Sequence, residues 1–140
     1  MNTFHEDLEA GLAIEQRVLQ ILQKQYPCAT LVKAHKGYDI WIPEIHKSVE
    51  VKLDQKSQHT GNIVIEIEMF GKPSGLMSTT ADVWVIYDGE IFIKITPRNI
   101  TKCIFLNKLQ FVEFVGNGDI QVKKAFLVPK NILFKYGEPL

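Results

Sequence analysis

The hydrophobic pattern of the chain begins with helical spacing and changes to alternation further on. Four leucines fall within one stripe of a helix at about 100° per residue, namely Leu8, Leu12, Leu19 and Leu22. Thr3 and Glu6 have the spacing of a capping box, and Pro27 is a helix stop. The pattern therefore predicts a helix over residues 3–25.

Glu15 interrupts this apolar stripe, which Ile14 and Val18 widen. A carboxylate directed at a core costs several kcal/mol unless it is paired or binds a metal. We therefore interpret Glu15 as a candidate functional residue rather than a packing residue.

Two later segments alternate with the period of two that is typical of β-strands. Residues 48–54 place Val and Leu on one face and put Glu50 and Lys52 on the other, and residues 62–70 place isoleucines opposite glutamates. We expect these segments to be neighbouring half-buried strands of one sheet.

Shorter signals predict the remaining elements. They are a hairpin of residues 30–32 and 38–42, a short helix or irregular crossover over 76–81, a central strand over 83–87, a turn at Asp88-Gly89 into 90–95, a helix from Thr96-Pro97 to about 109, a hairpin over 111–128 that turns at 116–118, and a short helix from 129–131. Together they predict an α/β (α+β) fold with one mixed sheet, in a single domain over residues 1–140.

Composition limits the class of protein. The 140 residues are 46% hydrophobic and 23% charged, which is enough to form a core without disulfides or a structural metal. Apolar runs stay below the roughly 18 residues of a membrane span, and the first residues are acidic rather than basic, so we expect a cytoplasmic protein with no membrane partner. Cys28 and Cys103 lack the spacing of a zinc site.

Charge is divided unevenly along the chain. Residues 1–90 carry 8 basic and 13 acidic side chains, whereas residues 91–140 carry 8 basic and 3 acidic ones. This asymmetry fits a polyanion-binding face beside a metal site, and it equally fits a bipolar surface with no partner.

The candidate chemistry lies in Asp39, Glu50 and Lys52. Carboxylates on adjacent strands can bind Mg²⁺, and a lysine at i+2 lies on the same strand face as Glu50. A metal and a lysine together suit phosphodiester hydrolysis. The tripeptide Glu50-Val51-Lys52 is weak evidence by itself, because the pattern of an acidic residue, any residue and a lysine recurs at residues 54–56. A solvated ion pair is also common on a sheet face. That simpler interpretation does not explain Glu15.

Three segments together resemble the PD-(D/E)XK nuclease superfamily, and especially its small phage-encoded members. They are Gly11-x-x-x-Glu15, Gly37-Tyr38-Asp39-Ile40 and Ser48-Val49-Glu50-Val51-Lys52, with a further similar stretch over residues 71–84. The resemblance covers about residues 8–87, and one departure from the family pattern is that no proline precedes Asp39.

The resemblance implies a restriction-endonuclease-like core in the order α-β-β-β-α-β, over about residues 3–95, with a C-terminal extension over about 96–140. It also implies Mg²⁺ or Mn²⁺ as cofactor, held by Asp39, Glu50 and the Val51 carbonyl. Lys52 is then the catalytic lysine, and Glu15 has an accessory catalytic role.

We therefore expect a small phage or mobile-element DNA endonuclease, with junction-resolving, site-specific or nicking activity, that acts as a homodimer or higher homo-oligomer. The residues expected to contact nucleic acid are Lys33, Lys36, Lys56, Lys72, Ser74, Ser78 and Thr79, and the basic C-terminal part is expected to hold flanking duplex. Two alternatives stay open: a noncatalytic DNA-binding or DNA-end-capping protein on the same fold, and a hydrolase of small phosphate compounds.

Overall fold

A computed structural model describes residues 3–32, 37–115 and 122–140. The helices are α1 (Thr3–Gln23), α2 (Ser57–Thr60), α3 (Pro97–Leu106) and α4 (Lys130–Leu133), with 3-10 turns at Gly75–Met77 and Phe134–Tyr136. The strands are β1 (Thr30–Leu31), β2 (Ile40–Ile42), β3 (Lys47–Leu53), β4 (Asn62–Met69), β5 (Lys72–Pro73), β6 (Val83–Tyr87), β7 (Phe92–Ile95), β8 (Phe111–Val115), β9 (Val122–Pro129) and β10 (Glu138–Pro139).

The larger sheet is mixed and has the order β1-β2-β3-β6-β7-β10. Its central pair, β3 and β6, is parallel, and the other neighbours are antiparallel. The fold is therefore a mixed α+β fold, and β6 is the buried central strand that its continuous apolar run predicted.

The smaller sheet corrects the expectation that the two alternating segments are neighbours. β4 does not pair with β3 but lies in a second, antiparallel sheet of order β5-β4-β9-β8. The chain leaves β3 through α2 and turns at Gly61, which has a φ of 74°. β4 then hydrogen-bonds along its length to β9, so the C-terminal hairpin forms part of the sheet that covers the core.

The larger sheet has an apolar layer on each face. On one face, α1 packs Ile14 and Val18 against a cluster that includes Val49. On the other face, Trp84 and Ile86 belong to a cluster with the second sheet and α3. Period-2 geometry then gives β3 two different faces, one toward α1 and one toward the second sheet.

Several local predictions need correction. Leu8 and Leu12 are about half exposed, because the first half of α1 extends beyond the cluster that Ile14 and Val18 form. The crossover to β6 is a single 3-10 turn rather than the α-helix of the implied order. The turn after β6 spans residues 88–91, since Tyr87 pairs with Phe92.

Other local predictions are confirmed. The Thr96 side chain accepts a hydrogen bond from the N–H of Asn99, so Thr96 caps α3 as predicted. The predicted turn at 116–118 lies outside the described residues. Over the ranges that the structure describes, no helix combines the length and hydropathy of a membrane span.

Candidate active site

Asp39 connects the strand pair β2–β3 through its side chain. Its backbone N–H donates to the Val49 carbonyl at 2.8 Å, one residue beyond the last paired residues, Ile40 and Val49. Its carboxylate then replaces the next step of the ladder, since the Val51 N–H donates to Asp39 Oδ2 at 2.7 Å. The carboxylate therefore lies against the backbone of β3, next to Glu50.

Glu50 and Lys52 lie on the face of β3 that points away from α1. In the parallel pairing, Glu50 is next to Trp84, whose side chain belongs to the core on that side. The Lys52 ammonium lies 3.7 Å from Glu50 Oε1 and 5.1 Å from the centre of the Trp84 ring. The Glu50 side chain is 18% exposed and that of Lys52 41%, so the ammonium is held in place but remains accessible.

The electrostatics around Glu50 are those of a partly buried carboxylate beside a second one. Burial raises the pKa of Glu50, and the negative charge of Asp39 raises that pKa further. The ammonium of Lys52 and a hydrogen bond from Thr79 oppose the rise without cancelling it. A cation placed between the two carboxylates would relieve this repulsion.

Glu15 also interacts electrostatically with Asp39, from α1 on the other face of the sheet. Burial raises the pKa of Glu15, and the charge of Asp39 raises it too. Asp39 therefore faces both glutamates electrostatically. Glu15 is only half-buried, so its position in the apolar stripe places it at the rim of the α1 layer rather than in the core.

Thr79 fixes the orientation of Glu50. Its hydroxyl lies 3.3 Å from Glu50 Oε2, 3.1 Å from Trp84 Nε1 and 3.2 Å from the Ala81 nitrogen. The indole and the backbone amide can only donate hydrogen bonds. The single hydroxyl proton of Thr79 must therefore point to Glu50.

Asp39, Glu50 and Val51 provide oxygen atoms that could bind a hard divalent cation. Within the described ranges, no group of three or more His, Cys, Asp or Glu side chains is placed to hold a metal ion. Asp39 and Glu50 supply two carboxylates beside Val51, whose carbonyl is the third predicted ligand. Two carboxylates and a carbonyl fit Mg²⁺, because this ion uses oxygen ligands and retains several waters.

The described residues predicted to contact nucleic acid differ in their exposure. Lys56 and Lys72 are exposed, and so is Ser78. The Ser74 hydroxyl is buried and has no hydrogen-bond partner among the described residues. Thr79 uses its hydroxyl within the protein. Lys33 and Lys36 lie outside the described residues.

Sequence reasoning missed the part that residues 79–84 play in this site. The sequence predicts Thr79 as a nucleic-acid contact and places Trp84 in the central strand over residues 83–87. Trp84 is indeed buried, but it also donates to Thr79 and lies beneath Lys52. The signal was weak, because only the parallel pairing of β3 with β6 brings these residues beside Glu50.

Comparison of the chain with family models, curated proteins and solved structures gives no match. The function is therefore inferred from the residues and their geometry.

Proposed function

We propose that this chain is a Mg²⁺-dependent endonuclease that hydrolyses phosphodiester bonds in DNA. One observation carries the proposal: the carboxylate of Asp39, the residue before β2, accepts a hydrogen bond from the Val51 N–H of β3, directly beside Glu50 and its Lys52 partner. The proposal assigns these groups complementary roles, the carboxylates as metal ligands and the ammonium as the group that acts on the phosphate.

Asp39, Glu50 and the Val51 carbonyl would hold the metal. When bound, Mg²⁺ supplies a water of lowered pKa and neutralises charge on the phosphorane transition state. Mn²⁺ has similar oxygen ligands and is expected to substitute.

Lys52 would act on the reacting phosphate. Its ammonium is accessible, and Glu50 and the Trp84 ring hold it on the strand face. From there it can donate hydrogen bonds to the attacking water or to a phosphate oxygen as negative charge develops. The water oxygen forms the new P–O bond and gives up a proton, while the bond to the departing sugar oxygen breaks and that oxygen takes up a proton from solvent.

Glu50 and Glu15 both respond electrostatically to Asp39. Both have a raised pKa because of burial and of Asp39. In the proposed reaction Glu50 is kept in one orientation by Thr79, while Glu15 is close enough to sense the charge of Asp39 from the α1 side. Glu15 therefore has an accessory role rather than that of a third ligand.

The test is a cleavage assay on four DNA substrates: supercoiled plasmid, linear duplex, single strand and four-way junction. Each is incubated with Mg²⁺, Mn²⁺ or Ca²⁺, and the wild type is compared with Glu50→Ala. The proposal predicts cleavage with Mg²⁺ or Mn²⁺ that the variant loses. The preferred substrate then separates junction-resolving, site-specific and nicking activities.

Retention of cleavage by Glu50→Ala would reject the assignment of this site. DNA binding without cleavage in any metal would favour the noncatalytic DNA-binding or end-capping alternative.

A further inference from the structure

The outer face of α3 combines cations with an aromatic ring that the protein leaves uncovered. Arg98, Thr101, Lys102 and Phe105 fall on one side of the helix, at separations of three and four residues. Ile100, Cys103 and Ile104 are buried on the other side.

Phe105 is 79% exposed, more than any other large hydrophobic residue of the described chain. Lys108 follows the helix and is also exposed.

This surface, defined here as the α3 face (Arg98, Thr101, Lys102, Phe105 and Lys108), has no carboxylate of its own. The sequence contains no Asp or Glu from residue 91 to residue 112. The next acidic residue, Glu113, lies 3.8 Å from the Lys124 ammonium. Since a positively charged surface without internal ion pairs attracts polyanions, the α3 face is complementary to a phosphate backbone.

An apolar groove connects the α3 face with the segment that positions Glu50. It encloses about 450 Å³ between Phe105 and Thr101 on one side and Met77 on the other, with Leu76 and Phe126 also lining it. Met77 is 55% exposed. Thr79, two residues further along the same segment, donates to Glu50. A ligand in the groove would therefore lie beside the segment that forms one wall of the candidate active site.

We propose that the α3 face binds an unpaired nucleic-acid strand next to the scissile phosphate, with one base stacked on Phe105 and phosphates bound by Arg98, Lys102 and Lys108. This inference rests on the proposed function, which supplies nucleic acid as the partner. It specifies the substrate class as DNA with a single-stranded or splayed segment.

Phe105 distinguishes an unpaired strand from a duplex. Bases in a duplex are stacked on one another, so their faces are not available to a protein side chain, whereas an unpaired base can stack on an aromatic ring. The cations alone would serve either form, because they bind phosphate without regard to base pairing. The exposed ring therefore favours the unpaired strand.

Binding is measured by fluorescence anisotropy in EDTA, so that no cleavage occurs. The probes are one fluorescein-labelled 20-nucleotide sequence as a single strand, as a blunt duplex and as the arm of a fork. Phe105→Leu removes the aromatic face but keeps an apolar side chain, and Phe70→Leu is its control at a ring that is 58% exposed in the β4–β5 turn. Lys102→Ala is matched with Lys47→Ala, an exposed lysine at the start of β3.

We expect the single strand and the fork to bind more tightly than the blunt duplex. Phe105→Leu should weaken single-strand binding roughly 10-fold, whereas Phe70→Leu should not. Lys102→Ala should lower the slope of log K against log salt by about 0.7 for the single strand, and Lys47→Ala should leave it unchanged.

Three results would overturn the inference: Phe105→Leu binding the single strand like the wild type, preference for duplex irrespective of Phe105, or tight binding to phosphatidylserine vesicles that Phe105→Leu retains and Phe105→Ala loses. The last result would identify a membrane-binding surface instead, since an inserted side chain needs to be apolar but not aromatic.

The cleavage assay separates this inference from the proposed function. Cleavage of forked DNA that is indifferent to Phe105→Leu and Lys102→Ala would reject the α3 face and keep the nuclease. Strand binding that depends on Phe105, without cleavage in any metal, would keep the α3 face and reject the nuclease.

Discussion

Glu50-Val51-Lys52 and Asp54-Gln55-Lys56 have the same pattern of charge and lie four residues apart, but the fold uses them differently. The first tripeptide lies wholly within β3, so its two charged side chains share one face of the strand. The second begins after β3 has ended, and the Asp54 carboxylate accepts a hydrogen bond from the Val64 N–H at 2.8 Å.

The second tripeptide thus forms a structural connection between the two sheets. Asp54 also accepts from Ser57 through its backbone carbonyl, which fixes the start of α2, and Lys56 is exposed. The charges of Lys56 and Lys130 lower the pKa of Asp54, whereas the negative charge of Asp39 raises the pKa of Glu50. Convergence of charges from different strands, rather than the tripeptide, is therefore what distinguishes a candidate active site from a turn.

The largest predicted effect is on the rate of DNA cleavage, which should depend on the first tripeptide and not on the second. Lys52→Ala should lower the rate of DNA cleavage by about 10²- to 10³-fold, the size expected when one group that stabilises transition-state charge is removed. Lys56→Ala removes the same side chain four residues away. As a predicted nucleic-acid contact it should weaken DNA binding, but at saturating DNA it should change the rate by less than roughly 3-fold, since an exposed lysine contributes little by itself. Initial rates at saturating Mg²⁺ provide the comparison.

Binding gives the control for this prediction. In the proposed function Lys52 serves the transition state more than the ground state, so Lys52→Ala should keep its affinity for uncleaved DNA in Ca²⁺. Loss of affinity in parallel with cleavage would contradict that role and make Lys52 a binding residue.

Orientation of Glu50 should have the next largest effect. Thr79→Val removes the hydroxyl that donates to Glu50 and should slow cleavage roughly 10-fold, which corresponds to the loss of one hydrogen bond to a charged group. Thr79→Ser restores the donor and should recover most of the rate. If Ser and Val behave alike, Thr79 acts on packing around Trp84 rather than on Glu50.

The strands and the helix ends were largely predictable from sequence, because they depend on local geometry. Alternation located β3 and β4, and the Thr96-Pro97 signal located the start of α3. Pairing between strands was less predictable. β4 has the same alternation whether it pairs with β3 or β9, and only the fold decides that it lies in the second sheet.

The candidate site shows the same division. Asp39, Glu50 and Lys52 could be predicted because two neighbouring strands of a hairpin bring them together. The hydroxyl of Thr79 reaches Glu50, which is 29 residues away in sequence, because β3 and β6 pair in parallel. No local sequence pattern predicts that pairing. Glu15 was recognised by its conflict with an apolar stripe, but its half-buried position depended on how far α1 extends beyond the sheet.

Asp54 should contribute more than Glu50 to the stability of the fold. Asp54→Ala should lower the free energy of unfolding by about 1 kcal/mol, because the Val64 N–H loses its partner. Glu50→Ala should cost less, or should stabilise the protein, since it removes a partly buried charge that faces Asp39. Urea unfolding monitored by circular dichroism gives both values. A larger cost for Glu50→Ala would make Glu50 a structural residue.

The smallest expected effect is a difference in pH dependence between Asp54 and Asp88, which both interact with Lys130. Burial raises the pKa of Asp54 and outweighs its hydrogen bonds and the lysines. Burial also acts on Asp88, but the N–H groups of Ile91 and Glu90 and the ammonium of Lys130, 3.2 Å away, together lower its pKa below the ordinary 3.8.

The two shifts predict pH slopes of opposite sign. A lowered pKa stabilises the fold above the ordinary value and loses that contribution as pH falls through the folded pKa, so Asp88→Asn should cost most near about pH 6 and progressively less in acid. A raised pKa stabilises the fold at low pH and loses that contribution as pH rises, so Asp54→Asn should cost less as pH rises. Urea unfolding of both variants between about pH 3 and pH 6 tests the signs. Slopes of the same sign would mean that the charge of Lys130 dominates at both carboxylates. That result would contradict the opposite pKa shifts of Asp54 and Asp88.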